Sequence, residues 1–169
     1  MRPPIVSIVG TSDSGKTTLL ERLIPELVAR GYRIGVVKHD VHGFEMDREG
    51  KDSWRLKRAG AKVVIVSSPS RIALIEDVDK DHSLEELRER FLPKVDLILS
   101  EGYKRDSQPK IEVYREEHRR ELLCTEGDNL VAVASDVPLD IGVPCLDLND
   151  PGAVADLIEE RFLRSRKAS

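Results

Sequence analysis

Cysteine is nearly absent from this chain, and that absence is informative. Only Cys124 and Cys145 occur among 169 residues, and neither has a C-x-x-C or zinc-type neighbour, so a disulfide framework and a structural zinc site are both excluded. Both thiols read as small apolar fillers in a reducing compartment. Long apolar runs are missing too: the longest, such as Val63 to Val66 and Leu130 to Ala134, are far too short to span a bilayer. Arg2-Pro3-Pro4 leads directly into an apolar segment and leaves no room for a signal peptide, so a soluble, cytoplasmic protein is expected. No basic run of five or more residues occurs. Charged residues reach 34%, above the usual quarter, yet they nearly cancel at a net −4, which gives no electrostatic footprint for nucleic acid. Histidine is equally sparse. His39 and His42 have no cysteine or third histidine nearby and read as solvated loop residues rather than a metal pair, and His82 and His118 sit in charged surroundings without a signal. With no internal repeat, low-complexity block or linker, the length suits one domain over residues 1–169.

What is present is a phosphate loop. Gly10-Thr11-Ser12-Asp13-Ser14-Gly15-Lys16-Thr17 fits G-x-x-x-x-G-K-S/T, preceded by the β-branched run Ile5-Val6-Ser7-Ile8-Val9. It is followed by apolar residues at helical spacing (Leu19, Leu20, Leu23, Ile24, Leu27, Val28) from Thr18 to Arg30. Strand, loop and helix therefore follow in the order an anion cradle requires. The glycines let the backbone wrap an anion, and the helix N-terminus adds partial positive charge. Lys16 would reach the β- and γ-phosphates and Thr17 would hold Mg²⁺. Asp13, a carboxylate inside an anion-binding loop, must face outward.

The rest of the chain alternates strands and helices. Gly31 stands where a left-handed helix cap belongs, and Pro25 should kink or loosen the first helix. Arg33 to Lys38 reads as a second strand, residues 40 to 51 as loop, and Asp52 to Ala59 as a short helix stopped by Gly60. Ala61 to Ser67 has the composition of a strand buried on both faces of a parallel sheet, with Arg71 to Ile75 pairing near it. Ser83-Leu84-Glu85-Glu86 is a capping box that opens another helix. Val95 to Ser100, Lys110 to Tyr114, Leu130 to Ala134 and Val143 to Leu146 are further strands, and residues 115 to 121 a solvated charged turn or helix. Asp150 with Pro151 opens a terminal helix, and about 164–169 is expected to fray. This alternation predicts a P-loop-type, doubly wound, mostly parallel α/β sheet flanked by helices.

Ligands in such sheets bind beyond the carboxyl ends of the strands. Those ends carry the loop, Lys38-His39-Asp40, Glu101-Gly102-Tyr103-Lys104 and Ser135-Asp136. A P-loop enzyme needs a second acidic group for Mg²⁺ at the end of an apolar strand. Glu101 fits, whereas Asp96 lies about five residues upstream, roughly 16 Å away on the opposite sheet edge at strand rise. Asp136 suits a carboxylate that accepts the N1–H and 2-amino donors of guanine, or else an ordinary turn aspartate. Lys104, Arg105 and Lys110 could meet an anionic phosphate group, or be solvated loop charges.

Several blocks together carry a family resemblance: Gly10 to Thr17 with Thr18-Leu19, Val37-Lys38-His39, Gly50-Lys51-Asp52-Ser53, Ala59-Gly60-Ala61, Asp96 to Lys104, and Pro109 to Val113. Over nearly its full length the chain resembles the molybdopterin-guanine dinucleotide biosynthesis protein B (MobB) family of P-loop GTP-binding proteins. Two positions depart from that pattern, Val41 where histidine is common and Asp13 in the loop.

The resemblance implies a GTP-binding, slowly GTP-hydrolysing, Mg²⁺-dependent accessory protein, forming a homodimer. It would assist the MobA-type guanylyltransferase that joins GMP to molybdopterin, with molybdopterin itself a possible contact. It also implies Asp52 as a third Mg²⁺-shell residue beside Thr17 and Glu101, where the residues alone would make it a helix N-cap. The nucleotide would then be held by Gly10, Thr11, Ser12, Asp13, Ser14, Gly15, Lys16, Thr17, Thr18 and Asp136, with Lys16, Asp52 and Glu101 in the hydrolytic machinery. Two other readings are open: an ATP-dependent ligase or kinase of the dethiobiotin synthetase type, and a nucleotide-bound adaptor in which hydrolysis is incidental.

Overall fold

The structure, a computed structural model, describes residues 2–40, 42–118 and 121–164. Val41, part of the charged stretch at 115–121 and most of the expected tail lie outside the described residues. The chain forms two compact units, one from residues 1–39 and 84–169 and the other from residues 40–83.

The larger unit is built on a six-stranded sheet. Its strands are β1 (Ile5–Val9), β2 (Ile34–Lys38), β5 (Leu97–Glu101), β6 (Lys110–Tyr114), β7 (Leu130–Ser135) and β8 (Cys145–Asp147), in the order β2-β5-β1-β6-β7-β8. Every pairing in it is parallel, as the buried β-branched runs predict. All five residues of β1 are buried, so the strand feeding the phosphate loop lies at the centre of the sheet and is covered on both faces.

Helix α1 (Lys16–Ala29) covers one face with Leu19, Leu20, Leu23 and Leu27. These pack with Val6, Ile8, Leu99 and Ile111, and with Val154 and Ile158 of α4 (Pro151–Ile158). Each such side chain contributes about 1.5–3 kcal/mol by leaving water. Helix α3 (Leu84–Phe91) supplies Leu84 to a smaller cluster with Ile5 and Ile98 on the opposite face. Between paired β1 and β5, the Ser7 and Ser100 hydroxyls satisfy each other at 2.8 Å in the buried interior.

Helix ends follow the sequence signals. Gly31, at φ 90°, lets its own N–H reach Val28 O and the Tyr32 N–H reach Leu27 O, a Schellman closure. Asp150 accepts from the Ala153 N–H at 3.0 Å, and Pro151 follows it. α1 runs through Pro25 as one continuous helix. Beyond α4 the chain continues as a short π-helical segment, Glu159–Leu163.

The smaller unit holds α2 (Asp52–Arg58) and an antiparallel hairpin of β3 (Val63–Ser68) and β4 (Arg71–Glu76). Here a sequence expectation fails. Val63–Ser68 is not a strand buried on both faces of a parallel sheet: among the described residues its strand partner is β4, and Val64 alone of its residues is buried. A short β-branched run reads the same in a buried strand and in a hairpin.

Candidate nucleotide site

The loop leaves β1 at Gly10, whose φ of 150° and close surroundings admit no side chain. A Cβ there would lie 2.7 Å from both Ser14 Oγ and Val113 O. Asp13 adopts a left-handed φ of 61° and Gly15 a φ of 96°. Aspartate is one of the few non-glycine residues that tolerate this region, and its side chain faces solvent, as the anion-binding reading requires. α1 starts directly after Gly15 with no side-chain cap, so the first-turn N–H groups are left for another acceptor. Ser14 is 1% exposed, and its hydroxyl has no hydrogen-bond partner among the described residues. Ser12, Thr17 and Thr18 are exposed.

Lys16 lies at the centre of the charge. Its ammonium donates to Thr11 O at 2.6 Å, a backbone carbonyl standing where an anion would be a stronger partner. Burial lowers its pKa, and Lys104 and Lys38 push in the same direction, while Glu101 and Asp13 oppose them. An added anion would reverse that shift.

Thr17 and Glu101 meet, as the loop motif and the strand-end rule together predict. Thr17 Oγ1 stands 3.2 and 3.1 Å from the two Glu101 carboxylate oxygens. Glu101 is fixed by register, opposite Ile8 of β1 and Lys38 of β2. After it, Gly102 at φ 102° passes so close to the chain that a Cβ would lie 2.6 Å from His39 O, and the Tyr103 ring packs on His39 at 4.6 Å. Asp96 lies at the start of the same strand, gripped by Arg33 through its backbone N–H, Nε and Nη2 at 2.8–3.0 Å. Its role is to anchor the opposite edge.

Asp136 follows β7. Its Oδ1 accepts from the Glu116 N–H at 2.9 Å, and its Oδ2 lies 3.8 Å from Arg115 Nη1. Asp52 is the first residue of α2 in the smaller unit. The N-cap there is Lys51, so the capping role is not borne out, and the Asp52 side chain is 94% exposed with Arg55 at 3.8 Å.

Two residues behave differently from their sequence reading. Lys110 is not a surface cation that could meet an anionic phosphate group: it is 2% exposed, and its ammonium donates to the carbonyls of Asp106, Gln108 and Asp128. Arg115, read only as part of a solvated strip, donates through Nε to Ser14 O at 3.1 Å and packs against Gly15. Nearby, Glu112 is buried and caps the Leu123 and Cys124 N–H groups at 2.8 and 3.0 Å; burial raises its pKa. Burial and the neighbouring Glu112 push the Cys124 thiol up to about 11. A small depression beside the loop is lined by Thr11, Glu112, Tyr114, Arg115 and His118.

A central parallel strand, a glycine-bounded loop, a lysine at the start of the following helix and a threonine–glutamate pair define a P-loop α/β protein. The chain belongs to the MobB family: the family model for molybdopterin guanine dinucleotide synthesis protein B matches residues 5–136. It is 46% identical over 157 residues to the molybdopterin-guanine dinucleotide biosynthesis adapter protein of Haemophilus influenzae, covering 92% of this chain and 88% of that one. To the Escherichia coli protein of the same description it is 43% identical over 165 residues, covering 93% and 92%. A crystal structure of molybdopterin-guanine biosynthesis protein B superposes with a TM-score of 0.74 at 33% identity, over 95% of this chain and 99% of that one.

Proposed function

We propose that this protein is a GTP-binding adapter of molybdopterin guanine dinucleotide biosynthesis, which hydrolyses GTP slowly while serving the enzyme that attaches GMP to molybdopterin. The adapter role follows the description of its relatives. The nucleotide reading rests above all on the Thr17–Glu101 pair beside Lys16.

The residues fit the group. Gly10 and Gly15 leave room for backbone N–H groups to turn inward, and Ser14 brings a buried hydroxyl with no partner among the described residues. The Lys16 ammonium would exchange Thr11 O for phosphate oxygens. Thr17 and Glu101 would hold Mg²⁺, which supplies charge neutralisation to the phosphates when bound. Asp136 would read guanine with the acceptor sites left beside its Glu116 N–H contact. Arg115 is already engaged by Ser14 O and Asp136, so no arginine is assigned here to meet the leaving charge, and slow turnover is the expectation.

The dimer belongs to the same proposal. On one face of the hairpin, Val63, Ile65, Ile72 and Leu74 are 43%, 60%, 72% and 42% exposed. A lone two-stranded hairpin is marginal in water, and a second copy of this chain would cover that face.

Calorimetric titration with GTP and ATP, each with and without Mg²⁺, tests the reading. GTP with Mg²⁺ should bind tightest. Preference for ATP, or no heat from either nucleotide, would overturn it.

A further inference from the structure

Arg115 joins two parts of the candidate nucleotide site, the phosphate loop and Asp136. It follows the last residue of β6, and its Nε donates to Ser14 O at 3.1 Å. A Cβ on Gly15 would lie 3.3 Å from its Nη2 and 3.4 Å from its Nε, so the guanidinium packs closely against the loop at this glycine. Its Nη1 reaches within 3.8 Å of Asp136 Oδ2 at the end of β7. The next residue, Glu116, gives its N–H to the other Asp136 oxygen at 2.9 Å. Residues 115 and 116 therefore address both oxygens of one carboxylate while the same arginine holds a carbonyl of the phosphate loop. The contact is only 31% and 27% exposed at the Arg115 and Asp136 side chains, which limits solvent screening.

We infer that Arg115 is a positioning residue for base selection: it sets the orientation of Asp136 relative to the phosphate loop, so that the base is read in register with the phosphates. This rests on the proposal that GTP occupies the loop. A carboxylate held in one orientation accepts from the two adjacent N–H donors of guanine, whereas adenine presents a ring-nitrogen acceptor to it and is repelled. Lysine cannot replace the arginine, because the planar fork serves Ser14 O and Asp136 together and a single ammonium serves one.

The experiment measures GTP and ATP dissociation constants with Mg²⁺ for the intact chain and for the Arg115→Ala, Arg115→Lys, Asp136→Asn and Arg115→Ala/Asp136→Asn variants. Circular dichroism on each confirms folding. The inference expects the GTP-over-ATP ratio to fall about tenfold in Arg115→Ala. Arg115→Lys should keep most of its affinity for both nucleotides yet lose the same discrimination. Adding Arg115→Ala to Asp136→Asn should change the ratio no further. If GTP and ATP binding weaken equally in Arg115→Ala, with the ratio unchanged, Arg115 merely braces the loop and the inference is overturned while the nucleotide reading stands. If the unaltered chain binds neither nucleotide, both fall together.

Discussion

Asp13 is predicted to weaken the loop's hold on phosphate. It holds a left-handed φ of 61° and keeps its carboxylate exposed, yet it remains close enough to Lys16 to pull that pKa upward. A negative charge at the rim of an anion site opposes every phosphate that enters, by about 1 kcal/mol at exposed separations. Asp13→Asn keeps a residue type that tolerates the backbone and removes the charge. GTP should then bind roughly three- to tenfold more tightly at low salt, the gain shrinking as ionic strength rises; equal affinities across a salt series would show that Asp13 is electrostatically silent. The loop residues and Glu101 were legible because motif and strand-end position each fix a location. Lys110 and Arg115 were not. Lys110 lies in a strand whose alternation gives no hint that three carbonyls from two loops surround its ammonium. Arg115 was hidden in a charged run, and its distinguishing feature, the bare Cα of Gly15 opposite it, is a tertiary contact across a separation of 100 residues. The position after a buried strand was the one available signal.

At the scale of elements, the parallel sheet was readable wherever a buried run was followed by a polar cluster, and boundaries moved by only one or two residues, as in Leu97–Glu101 against an expected Val95 to Ser100. The hairpin misled because composition reports burial only on average. Ile65 pairs with Leu74, and Ser67 with Ile72, so side-chain alternation along both strands gathers Val63, Ile65, Ile72 and Leu74 on one face. If a second copy covers that face, Ile72→Glu, at its most exposed member, places a charge in the interface. Sedimentation velocity should report a dimer for the natural chain and a monomer for the variant at the same concentration. A monomeric natural chain would remove the dimer proposal, and a dimeric variant would move the interface elsewhere.

At the scale of the whole molecule, each compact unit can be tested for ligand by itself: Lys16, Thr17 and Glu101 belong to the larger, and Asp52, which the family resemblance offers as a metal ligand, to the smaller. The Asp52 carboxylate is 94% exposed, with only a 3.8 Å approach from Arg55, so little competes for it. Bound ligand stabilises the segments it orders, and amide exchange reports this locally. Adding GTP alone should slow exchange at residues 10–19, where the loop and the first turn of α1 supply N–H groups to phosphate. Adding Mg²⁺ as well should extend protection to Glu101–Gly102, and any Mg²⁺-dependent protection of the first turn of α2 would report on Asp52. That last protection should vanish in Asp52→Ala while protection at residues 10–19 persists, since the backbone amides of the loop hold phosphate without help from the metal. Equal exchange at α2 with and without Mg²⁺ would confine the metal's ligands to Thr17 and Glu101 and leave Asp52 as a surface residue of its helix.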